Sequence, residues 1–241
     1  MEISEYYNIW HTEKYQVTDV LTKTTLNTYN WFLDILNVDT NKCLLDVACG
    51  KGYFLLEAKK RGCNVCGVDI SDVAIRKANE MGVKCVVGNS EQLYFNNNTF
   101  DFVTCLGSLE HFLEPDKSLT EIARVLKPDG TTLIYVPNLM FVGHIYFAFR
   151  TGAMPSEGEQ SFSEKFLTSA GWKELIEMNG LNVINVLPNN NFDGSHKVSR
   201  ITSWLWKNAL QYFIPFNLSY AFVFVCKKKS PKPRFEKRGM V

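Results

Sequence analysis

Short apolar runs alternate with stretches of helical period between residues 43 and 137, and this alternation restricts the fold more than any other feature of the chain. The runs are 43–47, 64–70, 83–87, 100–106 and 131–136. Cys43-Leu44-Leu45 has no inside–outside alternation, as in a strand covered on both faces. A helix is expected over 53–60 with Gly62 as its stop, and a second from the N-cap Ser71 to Met81. Pro115 opens a third, which runs to Leu126 before the turn Lys127-Pro128-Asp129-Gly130. Strand–helix–strand units of this kind require a parallel sheet with right-handed crossovers. Ligands on such sheets bind beyond the carboxyl ends of the strands, where the strand order reverses.

Several polar segments fall at those carboxyl ends. Asp46 closes the first strand and leads into Ala48-Cys49-Gly50-Lys51-Gly52, a tight turn before a helix. Gly50 and Gly52 let backbone approach a ligand closely, and the helix start offers N–H groups. Asp69 closes the second strand, Asn89-Ser90 follows the third, and Leu106 to His111 follows the fourth. Two acids suit hydroxyl and ammonium groups better than phosphates. A nicotinamide cofactor would require G-x-G-x-x-G, but Leu55 stands at the third glycine, and Asp46 would crowd a pyrophosphate. A ligand with an amino-acid end, a ribose and an adenine fits both features, as in S-adenosylmethionine.

At this point the chain resembles the class I S-adenosylmethionine-dependent methyltransferases, most closely the small-molecule group that includes ubiquinone-biosynthesis O-methyltransferases. The resemblance is strong over roughly 40–140 and weak over the last two strands. It rests on Asp46-Val47-Ala48-Cys49-Gly50-Lys51-Gly52, on Phe100-Asp101-Phe102-Val103, on Leu109-Glu110-His111 and on Leu126-Lys127-Pro128-Asp129-Gly130. It implies a Rossmann-like α/β fold, a seven-stranded mostly parallel sheet with helices on both faces and an antiparallel last strand. It implies S-adenosylmethionine as cofactor, with Asp46 and the backbone from Ala48 through Gly50 to Gly52 toward the methionine end. Asp69 would hold the ribose hydroxyls, Ile70 the adenine face, Asn89 and Ser90 the adenine edge, and Leu106 would complete the site. Ala48 replaces the first glycine of the pattern, where a glycine-like backbone is not expected. Asn89 replaces the usual acid and offers an uncharged amide oxygen.

The rest of the chain is read against this centre. Residues 1–226 are expected to form one domain, with 1–37 as an N-terminal helical segment that packs on the sheet or closes over the cofactor. A further strand is expected at 181–187 and the last at 220–226. Residues 138–165 and 188–216, rich in Phe, Tyr and Trp, are assigned to acceptor caps, which favours a small hydrophobic or aromatic acceptor, lipid-linked or not. Residues 227–241 carry seven Lys or Arg against one Glu and read as a basic disordered tail. That tail and an amphipathic helix over 198–213 offer a weak membrane-surface contact, with a packed cap helix as the plainer reading.

The net charge of +1 and the 21% charged residues contain no signal for nucleic acid. Seven scattered cysteines without a signal-peptide pattern suggest reduced thiols in a cytoplasmic setting. The single C-x-x-C at Cys63 and Cys66 has no partner pair, so no metal is expected.

A general base is needed only if the acceptor must lose a proton. His111 ranks first for that role, His144 second and His11 third, while His196 lies in a turn-rich stretch. The alternative function is a catalytically silent S-adenosylmethionine-binding scaffold.

Overall fold

The structure, a computed structural model, describes residues 2–14, 22–152, 165–190 and 213–230. It opens with helix α1 (Ile3–Ile9), continued by a π turn at Trp10–Lys14, and then α2 (Lys23–Leu36). The alternating core follows as β1 (Cys43–Val47), α3 (Tyr53–Lys60), β2 (Asn64–Asp69), α4 (Asp72–Glu80), β3 (Cys85–Val87) and β4 (Phe100–Leu106). After a 3-10 turn at Leu109–His111 come α5 (Pro115–Val125), β5 (Leu126–Pro137), α6 (Val142–Thr151), α7 (Ser169–Met178), β6 (Leu181–Asn189) and β7 (Ala221–Lys228). All seven strands join one sheet in the order β3-β2-β1-β4-β5-β7-β6. The first five are parallel, and β7 runs antiparallel to both β5 and β6. The strand order reverses between β1 and β4, so the crevice that parallel sheets offer to ligands opens beyond Val47 and Leu106.

Both faces are covered, which explains the continuous apolar reading of the strands. Leu44 faces a layer built on Phe32, Leu33 and Leu36 of α2, Phe54 and Leu55 of α3, and Ile75 of α4. Its neighbour Leu45 faces the opposite layer, with Leu119 and Ile122 of α5 and Trp172 and Ile176 of α7. Trp172 is fully buried and its Nε1–H donates to the Pro137 carbonyl at 3.0 Å, seating α7 against the end of β5.

The expected helix stops and caps are present. Gly62 and Gly82 sit at φ +86° and +82° just past α3 and α4. The Ser71 Oγ accepts the Ala74 N–H at 3.2 Å. Helical period over 17–37 is realised as α2 from Lys23, capped by Thr22, whose hydroxyl accepts the Thr25 N–H; Val17, Val20 and Leu21 lie outside the described residues.

Two expectations are corrected. The turn at Lys127 to Gly130 is absorbed into β5 as an irregularity, with Phe100 paired to Leu126 and Phe102 already paired to Thr131. The basic tail begins later than Lys227. Lys227 and Lys228 close β7, and the Lys228 ammonium donates to the Arg124 and Leu126 carbonyls at 3.1 and 2.9 Å. Those carbonyls end α5, where a cation satisfies both the open acceptors and the helix dipole. Residues 231–241, the amphipathic stretch at 198–212, residues 153–164 of the first acceptor cap and most of the second lie outside the described residues. The described part of the first cap is α6, which has no buried residue and exposes Tyr146 and Phe149 at 65% and 87%. No helix among the described residues is long and apolar enough to cross a membrane.

Candidate active site

A cavity of about 290 Å³ opens at the carboxyl ends of β1, β2 and β4. Asp46, Ala48, Gly50, Asp69, Ile70, Asn89, Ser90, Leu106 and His111 all line it, so the topology brings nearly every residue singled out from the sequence to one place.

Asp46 occupies the penultimate position of β1, level with Gly67 of β2 and Thr104 of β4. It is 3% exposed, and its Oδ1 accepts the Thr104 hydroxyl at 2.6 Å. Burial raises its pKa from 3.8 to about 7, the Thr104 hydrogen bond works against that rise, and the nearby Asp69 charge adds to it. Asp69 is 8% exposed. Its two oxygens accept backbone N–H groups from Gly50 at 2.8 Å and Ser71 at 2.9 Å. Burial raises its pKa as well, opposed by those same N–H donors. Ser71 caps α4, so the Asp69 carboxylate instead braces the turn after β1 against the end of β2.

The turn itself is made of left-handed residues. Ala48, Gly50 and Gly52 lie at φ +57°, +51° and +74°. Ala48 thus adopts the glycine-like backbone that its side chain was expected to forbid, because the register of β1 and the Cys49 N–H to Val68 carbonyl bond at 3.0 Å dictate the path of the chain. A left-handed alanine costs about 1–2 kcal/mol, and a glycine there gives part of that back as unfolded-state entropy. Ala48→Gly is therefore expected to raise stability by about 0.5–1 kcal/mol, read as a higher urea midpoint with unchanged slope. A lower midpoint would show that the methyl group contributes packing that exceeds the strain.

Gly52 does not line the cavity. A Cβ on it would meet Val83 Cγ2 at 2.8 Å and Ala78 Cβ at 3.1 Å, so its smallness serves the seating of α3 against α4 and β3. The amide oxygen of Asn89 accepts the Glu91 N–H at 2.9 Å, and the Ser90 hydroxyl lies 3.0 Å from that of Ser118. His111 is in the 3-10 turn after β4, with its Nε2 3.8 Å from Glu110 Oε1. Burial lowers its pKa below 6.5, which keeps the imidazole neutral at pH 7, the form that accepts a proton. His144 does not line the cavity; its ring meets Phe141 edge-on at 5.1 Å within α6. His196 lies outside the described residues.

The N-terminal segment supplies a wall that the sequence left open. Ile3, Tyr7, Trp10 and His11 all line the cavity. The Asn8 Oδ1 accepts the Ser71 hydroxyl at 2.8 Å and so fixes α1 to the start of α4. His11 is 6% exposed, and a Cβ on Gly50 would lie 3.7 Å from its Cε1. Burial, then the cations of Lys51 and Lys77, lower its pKa to about 4. Tyr29, Tyr53 and Phe112 extend the aromatic lining. Lys51, read at first only as the spacer between two glycines, is buried in the same lining. For Tyr7, Trp10 and His11 the one signal was the density of Tyr, Trp and His in the first 16 positions.

Known proteins resemble this arrangement. Residues 45–134 match the family model described as a methyltransferase domain. The chain is similar to the demethylmenaquinone methyltransferase of Corynebacterium kroppenstedtii, 28% identical over 156 residues, which is 55% of this chain and 68% of that protein. It is also similar to the ubiquinone biosynthesis O-methyltransferase of Coxiella burnetii, 32% identical over 111 residues. That match spans 44% of this chain and about half of the relative, 47%. Among solved structures it superposes on a chain from the complex between the Haloferax volcanii Trm112 methyltransferase activator and a methyltransferase, with a TM-score of 0.71 and 17% identity over 96% of this chain and 99% of that one. At that identity the likeness is one of fold.

Proposed function

We propose that this chain, which belongs to the class I S-adenosylmethionine-dependent methyltransferases, transfers a methyl group to a small hydrophobic or aromatic acceptor. The observation that carries the reading is one cavity holding two buried carboxylates, at the ends of β1 and β2, beside a glycine turn, together with walls of Tyr7, Trp10, Tyr29, Tyr53 and Phe112. The donor set fits the cofactor. A buried acid whose pKa is raised to about 7 is poised to ionise beside an ammonium group, and two carboxylates with no third glycine disfavour a pyrophosphate.

In this reading Asp46 meets the amino group of the methionine end, and the backbone of the 48–52 turn approaches it closely. Asp69 retains lone pairs for the ribose hydroxyls after accepting Gly50 and Ser71. Ile70 lies against the adenine, with Asn89 and Ser90 at its edge, and Leu106 closes the floor. When bound, S-adenosylmethionine supplies a methyl group on a sulfonium sulfur, which is already a good leaving group. The chain's contribution is then alignment of the acceptor in line with that group and exclusion of water. The aromatic walls do both for an apolar acceptor. His111, neutral at pH 7, takes the proton of a phenol or alcohol.

Titration calorimetry with S-adenosylhomocysteine and with a nicotinamide dinucleotide tests the cofactor. Binding of the sulfur ligand alone is expected; binding of the dinucleotide alone, or of neither, overturns the reading. Transfer of a tritiated methyl group is then measured across phenols with and without prenyl tails, alcohols, amines and carboxylic acids. Label is expected in the phenols, with His111→Ala lowering kcat roughly 100-fold or more and leaving the S-adenosylhomocysteine affinity unchanged. Full activity in that variant removes His111 from the proton step.

A further inference from the structure

Two of the seven cysteines bring their sulfur atoms together beside the glycine turn. Gly67 of β2 is level with Cys85 of β3, and Cys49 follows β1 on the other flank. A Cβ on Gly67 would lie 2.5 Å from the Cys49 sulfur, 2.7 Å from the Cys85 sulfur and 2.7 Å from Leu55 Cδ1. The side chain that Gly67 lacks thus leaves one gap over β2, and both sulfurs reach into it. Neither thiol is in a disulfide. The remaining cysteines do not share the gap. Cys49 and Cys85 lie in the layer of α2, α3 and α4, whereas Cys43 and Cys66 pack against the opposite layer, to which Cys105 and Cys226 belong. Cys63 is in the first layer but ahead of β2, where its thiol donates to the Lys42 carbonyl at 3.1 Å. Cys49 lines the cavity and Cys85 does not, so a small oxidant that enters the cavity meets Cys49 first.

We propose that Cys49 and Cys85 are a dithiol that hydrogen peroxide closes to a disulfide, and that closing it disables the ligand turn. The Cys49 sulfur attacks one peroxide oxygen, the O–O bond breaks, and the departing hydroxide takes the thiol proton as water. The Cys85 sulfur then attacks the resulting sulfenic sulfur. The S–S bond forms as the S–O bond breaks, and the second hydroxide leaves with the Cys85 proton as a second water. Two thiols are oxidised by two electrons and one peroxide is reduced. The Cys49 thiol beside it holds the Cys85 thiol below its ordinary value, which suits Cys85 to the second attack. Cys85 itself, then burial and the charges of Asp46 and Asp69 push the Cys49 thiol up, so the first step is slow and requires peroxide in excess. Cys49 stands between Ala48 and Gly50, both left-handed, and its sulfur lies 3.7 Å from the Gly50 carbonyl. Drawing that sulfur to bonding distance from Cys85 moves the residue between them, and the turn that approaches the ligand moves with it.

The bond is tested by mass spectrometry on the full chain without ligand. Folded protein is treated with hydrogen peroxide, then denatured and blocked with N-ethylmaleimide. Untreated protein is expected to take seven adducts, one per cysteine. Treated protein should take two fewer, with fragment ions that join Cys49 to Cys85, and dithiothreitol should restore both. Cys49→Ala and Cys85→Ala should each abolish that bridge. A full set of adducts after treatment, or a bridge between another pair or between two chains, overturns the proposal. Calorimetry with S-adenosylhomocysteine then compares the reduced and oxidised wild-type protein. This second measurement rests on the methyltransferase reading; the first does not. The oxidised form is expected to bind roughly 10-fold more weakly or worse, and to recover with dithiothreitol. Equal affinities overturn the switch. If the reduced protein does not bind this ligand, the methyltransferase reading fails and the switch fails with it, while the mass spectrum alone decides the disulfide.

Discussion

Asp46→Asn is expected to make the ligand-free protein more stable at neutral pH while weakening its hold on S-adenosylhomocysteine roughly 10- to 100-fold. The carboxyl group is buried at the switch point of the sheet, and burial raises its pKa from 3.8 to about 7. The sign follows from proton binding. Below about pH 4 the folded and unfolded states both hold the proton, so the group contributes no penalty. Between about 4 and 7 the unfolded chain releases it and the folded chain keeps it, so stability falls as pH rises, by up to about 4 kcal/mol in all. An amide removes that slope and still offers an oxygen to the Thr104 hydroxyl.

Urea melts of both proteins at pH 4.5 and pH 7.5 measure the difference directly. The gap in midpoint should be small at the lower pH and large at the higher one. A wild-type protein whose midpoint does not change with pH would mean that Asp46 is ionised throughout and that burial does not govern it. Ligand affinity has the opposite dependence, because an ammonium group selects the ionised carboxylate. Wild-type affinity should fall toward tenfold per pH unit below about 7, and the Asn variant should lose that dependence. Instability of the empty site is thus coupled to recognition in the filled one.

Asp69→Ala is expected to abolish measurable ligand binding, a loss of more than about 100-fold, and to lower stability by roughly 2–5 kcal/mol. Both effects arise from one carboxylate. It accepts the Gly50 N–H from the turn after β1 and the Ser71 N–H from the turn after β2, and removing it leaves two N–H donors without that acceptor. The first bond keeps Gly50 left-handed and open beneath His11; the second holds the approach to α4, against which α1 is pinned through Asn8. Asp69→Asn keeps one acceptor oxygen and should lose about half the stability while still losing most of the affinity, since its NH₂ group faces an N–H donor. Calorimetry on folded Asn variant separates the two effects. Retained affinity in that variant would show that the carboxylate only braces the turn and does not meet the ligand.

How much of the site was legible depends on the kind of signal each residue carries. Asp46, Asp69, Asn89 and Leu106 lie at or just past the ends of apolar runs, and in a parallel sheet strand ends meet at one edge, so their convergence followed from periodicity alone. Ser71, Gly62 and Gly82 act through contacts within a few residues, which local pattern expresses well. For Gly52 the spacing marked the turn but not the packing its smallness serves. A glycine admits close approach from any side, and here Val83 and Ala78 make the approach.

The chain by itself determined the α/β alternation, the parallel core and the set of strand-end residues that share one crevice. Each of these is set by hydrophobic period and by turn chemistry, and both act over a few residues. Only the tertiary structure decided that Thr104 answers Asp46 across 58 positions and that Asn8 reaches Ser71 across 63, turning the first helix into a wall of the cavity. It alone decided that Ala48 takes a glycine's backbone, that Lys51 is buried at the turn, and that Lys228 closes α5 instead of beginning a tail. Those outcomes depend on which distant group a side chain meets after the sheet assembles, and a contact between positions far apart in the chain imposes no period on the residues between them.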